Sequence, residues 1–242
     1  MIRNSGSRKL PVLVFFLGIA ALMLRKRLYA VAVDVKGLLI HNHPLEIALF
    51  VLTGMALLVA GLAAWKRAGC EEQVSGNLPG AFGNVAAGAG VFVTVYAGVP
   101  MMGGYLETVW WILGLAAPVC LLLAGLAKAL GKRPFFLLHV VPCLFLLVHI
   151  VIRYQLWSGD PQMQDYIFSL LGAMALMFFG FYTAAMEADC GSPRLRLGMG
   201  LAAVYLCMAE LARSFCPGLY LGGILWVLTD LCSQPNASDS ER

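Results

Sequence analysis

Apolar residues in this chain come in long stretches, and the polar residues collect in short gaps between them. Eight stretches predict helices over about 10–24, 44–65, 79–98, 104–130, 134–156, 164–186, 193–214 and 217–231. Prolines mark the openings: Pro11, Pro44, Pro79, Pro134, Pro161, Pro193 and Pro217 each stand at or just before one. Proline suits the first helical turn because its missing N–H would have no intrahelical partner there. The expected fold is an all-α, polytopic transmembrane bundle of about eight helices. The first and eighth stretches are short for a span. The first also has features of a signal peptide, with a basic opening and an Ala30-Val31-Ala32 site, or of a re-entrant segment.

Composition agrees with that pattern. The 242 residues are 60% hydrophobic and 12% charged, against about 25% charged in a soluble domain. So little polar surface cannot clothe a water-soluble globule, and the expected surroundings are a lipid bilayer. No basic stripe, zinc-ligand spacing or phosphate-binding glycine loop is present, so no nucleic acid partner and no cofactor are expected. Cys120, Cys143 and Cys207 fall within apolar stretches, where a thiol behaves as a small hydrophobe, so a disulfide framework is not expected.

Charge placement predicts orientation. Eleven of the 17 Lys and Arg fall on the side of the two termini and six on the other, which predicts cytoplasmic termini. Arg25-Lys26-Arg27 and Lys36 conflict with this, because the same topology assigns them to the outer first loop.

The chain reads as one integral membrane domain with two possible tandem halves, 10–130 and 134–232, and a disordered tail over 233–242. A shift of 119 residues lays Met55-Ala56-Leu57 on Met174-Ala175-Leu176, Gly61 on Gly180 and Glu46 on Asp165. Helix two carries Ala56, Ala60 and Ala64, and helix three is rich in glycine and alanine from Gly80 to Gly90. Small residues let backbones approach closely in lipid, so these two helices are the expected best-packed pair. Pro118 and Pro142 lie inside helices four and five, where each bends its helix, and they form a candidate hinge at the junction of the halves.

Candidate chemistry gathers at the outer ends. Asp34, His41 and His43 lie in the first outer loop, and Asp160 and Asp165 near the third. With Glu46, Glu107, His149, Arg153, Glu210 and Arg213 they form a candidate polar mouth. Glu210 and Arg213, three apart, are placed to pair on one helix face. His41 and His43 beside a carboxylate have divalent-metal character, but a His-x-His pair alone is too weak a signal to predict a metal. His139 reads as a residue near the headgroups, and Glu187 and Asp189 as solvated. No catalytic set is legible, so an enzyme is not the leading expectation.

The stretch from Asp34 to Leu39 with His43-Pro44, and the stretch from Trp157 through Asp160-Pro161 to Tyr166, resemble those of small multi-pass proteins from Firmicutes-type bacteria. The resemblance implies a bacterial cell membrane and supplies neither an activity nor a site. The leading functional expectation is a membrane protein that handles a small solute or ion at an outward-opening site. A membrane subunit or sensor that binds a protein partner is the second, and a membrane enzyme using the outer carboxylates the third.

Overall fold

The computed structural model describes residues 6–32, 43–66, 78–98, 104–158 and 166–232. Within them the chain forms eight helices and no strands. They are α1 (Gly6–Val31), α2 (Pro44–Lys66), α3 (Leu78–Ala97), α4 (Tyr105–Ala129), α5 (Leu137–Trp157), α6 (Ile167–Glu187), α7 (Pro193–Glu210) and α8 (Pro217–Cys232). Five of these, α2 to α6, are long and apolar enough to cross a membrane, and α8 is a shorter apolar helix. The all-α bundle expected from the apolar stretches is what the chain builds.

Six consecutive helices close into a ring. Each of α3 to α7 packs on its successor, and α8 returns to pack on α3. The α1–α2 hairpin docks outside that ring, mainly against α7. α1 runs alongside α7 and buries one stripe, Val14, Gly18, Ala21, Arg25, Leu28 and Ala32, at three- and four-residue spacing. α2 presents Leu49, Thr53, Ala56 and Ala60 inward, and its Thr53 hydroxyl lies 3.0 Å from the Tyr205 hydroxyl of α7.

The expected pairing of α2 with α3 is not what forms. The small residues of α3 face α8 and α4 instead. A Cβ on Gly222 of α8 would stand 2.7 Å from the Ala86 carbonyl oxygen, and one on Gly90 would collide with the Gly218 carbonyl. A Cβ on Gly125 of α4 would reach 3.0 Å from the Ala81 carbonyl. Both seams are therefore backbone-to-backbone contacts that exclude side chains. The alanines of α2 serve α7, where Ala64 would meet a Cβ on Gly198 at 3.1 Å.

A second correction concerns α1, which runs through Arg25-Lys26-Arg27 and ends only at Val31. Arg25 is buried, and it donates to Ala209 O at 3.0 Å and to the Glu210 carboxylate at 2.6 Å. With its charge neutralised, the guanidinium no longer forces the helix to stop at the apolar boundary. The basic cluster thus belongs to a helix and not to a loop.

The ends of the ring differ. One holds the α4–α5 turn and is here the α4–α5 end. There α4 and α6 finish in the same way. Lys132 N–H bonds Ala127 O and Gly131 N–H bonds Lys128 O, with Gly131 at φ +70°. Cys190 N–H bonds Ala185 O and Asp189 N–H bonds Met186 O, with Asp189 at φ +59°. These are paired Schellman closures. The opposite end carries the α7–α8 turn, residues 211–216.

Candidate functional site

Every helix of the ring sends a buried polar side chain to one cluster at the α4–α5 end. Asn84 comes from α3, Lys128 from α4, His139 from α5, Thr183 and Glu187 from α6, Arg196 from α7, and Trp226 and Asp230 from α8. All are under 10% exposed. Isolated buried charges are costly, so their partners decide whether the cluster is tenable.

Two networks supply those partners. In the first, the Asp230 carboxylate accepts from Lys128 Nζ at 3.0 Å and from Arg196. The Arg196 Nε–H also donates to the Thr183 hydroxyl at 3.3 Å, and the guanidinium lies over the Phe179 ring. In the second, His139 is completely buried, with Nδ1 2.7 Å from Glu187 Oε2 and Nε2 3.0 Å from Asn84 Oδ1. Asn84 donates its own amide N–H to Gly80 O at 2.8 Å, which fixes Oδ1 toward the histidine. The Trp226 indole stacks on His139, 7° from parallel, and meets Phe179 edge-on, so the aromatic rings join the two networks. Glu187 Oε1 and Trp226 Nε1 are buried and have no hydrogen-bond partner among the described residues.

Outside the cluster, Arg133 grips Asp189 with two hydrogen bonds of 2.9 and 2.7 Å and ties the two Schellman turns together. Those bonds, with the nearby positive charge, hold the Asp189 carboxyl below its ordinary range. Asp189 is solvated as expected. Glu187 and His139 are not: both are interior groups and partners of each other.

The α7–α8 end carries a smaller set. Arg25 pairs with Glu210, and its guanidinium also lies over the Phe168 ring. Arg153 is buried, donates to Cys216 Sγ and lies over the Trp157 ring. Arg213 lies over the Tyr29 ring. Arg153 and Arg213 are both close enough to Glu210 to act on its charge. α7 ends at Glu210, whose carboxylate pairs with Arg25 of α1.

Of the expected outer mouth, the structure thus gathers Arg153, Glu210 and Arg213 and adds Arg25. His149 lies one turn deeper on α5, where its Nδ1 accepts the Trp110 indole N–H at 3.2 Å. His43 precedes α2 and its Nδ1 accepts from Leu45 N–H, while Glu46 and Glu107 sit half-buried in the first turns of α2 and α4. Asp34, His41, Asp160 and Asp165 lie outside the described residues, as does the tail over 233–242. Among the described residues no group of three His, Cys, Asp or Glu is arranged to hold a metal.

Between the two polar layers the ring is filled. Trp110, Leu121, Phe145 and Leu176 are all at most 2% exposed. The outward surface is apolar, and a groove of about 650 Å³ between α3 and α4 is lined by Phe82, Val85, Leu122 and Leu126. Pro118 and Pro142 are buried in α4 and α5, and Pro142 lies one turn from His139 with no N–H to offer the Leu138 carbonyl.

No family model matches the chain, and no curated protein or solved structure does either.

Proposed function

We propose that this chain is a multi-pass protein of a bacterial cell membrane that handles a small solute or ion within its six-helix ring. The observation that carries this reading is the buried cluster to which all six ring helices contribute. The outward surface is apolar, whereas the buried charged groups lie in two layers near opposite ends, the second of them shared with α1 through Arg25. Ionisable groups held inside a membrane bundle mark solute or ion pathways by default. The two polar layers correspond to two waiting positions, and the packed aromatic layer between them is the barrier that must move. Pro118 and Pro142, on adjacent ring helices, are the hinge for that movement.

The outer layer is the one holding Arg25, Arg153, Glu210 and Arg213. Cytoplasmic termini follow from the excess of Lys and Arg on the α4–α5 side, and reporter fusions at each end read this directly. For function, purified protein is reconstituted into vesicles of phosphatidylcholine and phosphatidylglycerol carrying H⁺, Na⁺ or K⁺ gradients. Transport of one of these, abolished by Asp230→Asn in protein whose helical circular dichroism matches wild type, supports the reading. Silence to all three in folded protein, with a stoichiometric protein partner in mild detergent, overturns it in favour of an interaction subunit. The observation that keeps that second reading is α2, whose outward face carries Gly54 and Gly61 with nothing within 4 Å of where a Cβ would stand.

A further inference from the structure

We infer that His139 and Glu187 form a proton-binding site, loaded and emptied from the α4–α5 end. This rests on the solute-handling reading above and names its ion.

Asn84 spends its amide N–H on Gly80 O, so its Oδ1 is an acceptor and His139 Nε2 must carry a hydrogen. His139 Nδ1 then faces Glu187 Oε2 across 2.7 Å. At that distance the two atoms need a proton between them. It sits on Nδ1, giving imidazolium and carboxylate, or on Oε2, giving neutral imidazole and neutral carboxyl. Both arrangements hold the same number of protons, and both satisfy Asn84. Moving the proton from Nδ1 to Oε2 breaks one N–H bond, forms one O–H bond and leaves the total charge unchanged.

Losing that proton to solvent is a different event. Nδ1 and Oε2 would then oppose lone pairs at 2.7 Å, and α5 and α6 would have to part there. The proton is therefore also the fastener between these helices. The groups around the pair are Asn84 of α3, Lys128 of α4, Arg133 of the α4–α5 turn, and Thr183 and Asp189 on α6 and its closing turn. Arg196 of α7 and Trp226 and Asp230 of α8 complete the set. Lys128 and Arg196 against Asp230 and Glu187 sum to zero when the pair is empty, and loading adds one positive charge. Neither state strands more than one net charge within this cluster.

Two further observations support exchange over a static ion pair. Glu187 is the last residue of α6 and is followed directly by exposed Ala188 and Asp189, so the carboxyl sits one residue from water at this end. Its second oxygen, Oε1, is buried without a partner among the described residues, as is the indole N–H of Trp226, which stacks on the histidine. Buried polar atoms are usually hydrogen-bonded, so an open carboxylate oxygen at this depth calls for a reason. Beside the proton-carrying pair an acceptor and a donor thus remain open among the described residues.

The test uses the full chain in vesicles with ¹⁵N-labelled histidine. Imidazole nitrogen resonances are followed against pH, and the His139 signals are assigned by their loss in His139→Gln. The expected result is a pH-dependent shift of the His139 Nδ1 resonance, with Nε2 staying protonated, and its abolition in Glu187→Gln. A His139 signal that does not move with pH overturns the proposal, as does an unchanged titration in folded Glu187→Gln. Should Glu187→Gln fail to fold, the infrared carboxyl band of the wild type, coupled in its pH dependence to the His139 shift, takes its place; independent titration of the two overturns the inference. A pH-sensitive dye inside the same vesicles separates this from the broader reading. His139 titration without proton flux keeps the site and defeats proton handling. Ion flux with a static His139 keeps ion handling and defeats the site.

Discussion

Removing the Asp230 carboxylate should be the most damaging single change in the ring, because it serves two buried cations at once. Lys128 Nζ lies 3.0 Å away and Arg196 bonds the other oxygen, with Lys128 and Asp230 only 3% and 6% exposed. Breaking a buried ion pair by deleting one member costs about 3–5 kcal/mol, chiefly because the survivor keeps its desolvation penalty. Asp230→Asn keeps the shape and removes the charge, leaving two survivors, so its cost falls in the upper part of that range. Lys128→Met costs less, since Arg196 still neutralises Asp230. Combining Lys128→Met with Asp230→Asn removes one stranded cation, and the double variant should be more stable than the sum of the singles by at least about 1 kcal/mol. Unfolding in mixed detergent micelles, followed by helical circular dichroism, measures all three. An Asp230→Asn variant within about 0.5 kcal/mol of wild type would refute the reasoning. It would mean that water reaches these groups, or that the cations do not depend on this carboxylate.

Three further outcomes follow from the same geometry. Gly222→Val should open the α3–α8 seam, where even a Cβ would stand 2.7 Å from Ala86 O, at a cost of about 1–3 kcal/mol in the same unfolding assay. Gly54→Val, on the open face of α2, should be nearly silent in comparison. Thr53→Val with Tyr205→Phe should report a coupling of about 0.6 kcal/mol between α2 and α7, the usual size for a hydrogen bond between membrane helices. Asp189→Asn should lower thermal stability at neutral pH but not in acid. Arg133 holds the folded carboxyl below its ordinary value, so the contribution is present above the unfolded-state value and is lost as pH falls through the lowered folded value. A melting-temperature difference that persists in strong acid would count against the pair.

The helices were legible because immersion in lipid demands long apolar runs, and the limits of α2 to α6 fall within about three residues of the pattern. α1 outran its apolar stretch because Arg25 is neutralised by Glu210, 185 positions away, which no local pattern records. Small residues in α2 and α3 correctly marked faces that pack closely. They carried no information on which helix would be met, and the seams formed with α7 and α8. The site was read least well. Lys128, Glu187, Arg196 and Asp230 each stand near a helix end, where a single charge looks like a solvated boundary residue. Only the closure of the ring brings them together. One signal was available: Asp230 is the sole charge in an otherwise apolar final helix, and Arg196 lies one turn inside α7. Such charges seek partners of opposite sign at the same depth.

Apolar helices that face lipid and enclose a polar, tryptophan-containing core leave some indoles against acyl chains and shield others. Two single-tryptophan forms test this arrangement directly in vesicles of phosphatidylcholine brominated on its acyl chains. Trp111 faces outward from α4 at 39% exposure, and Trp226 is 3% exposed inside the ring. Strong quenching of Trp111 by the brominated chains, and little of Trp226, is the expected result. Equal quenching of both, or quenching of neither, would contradict it.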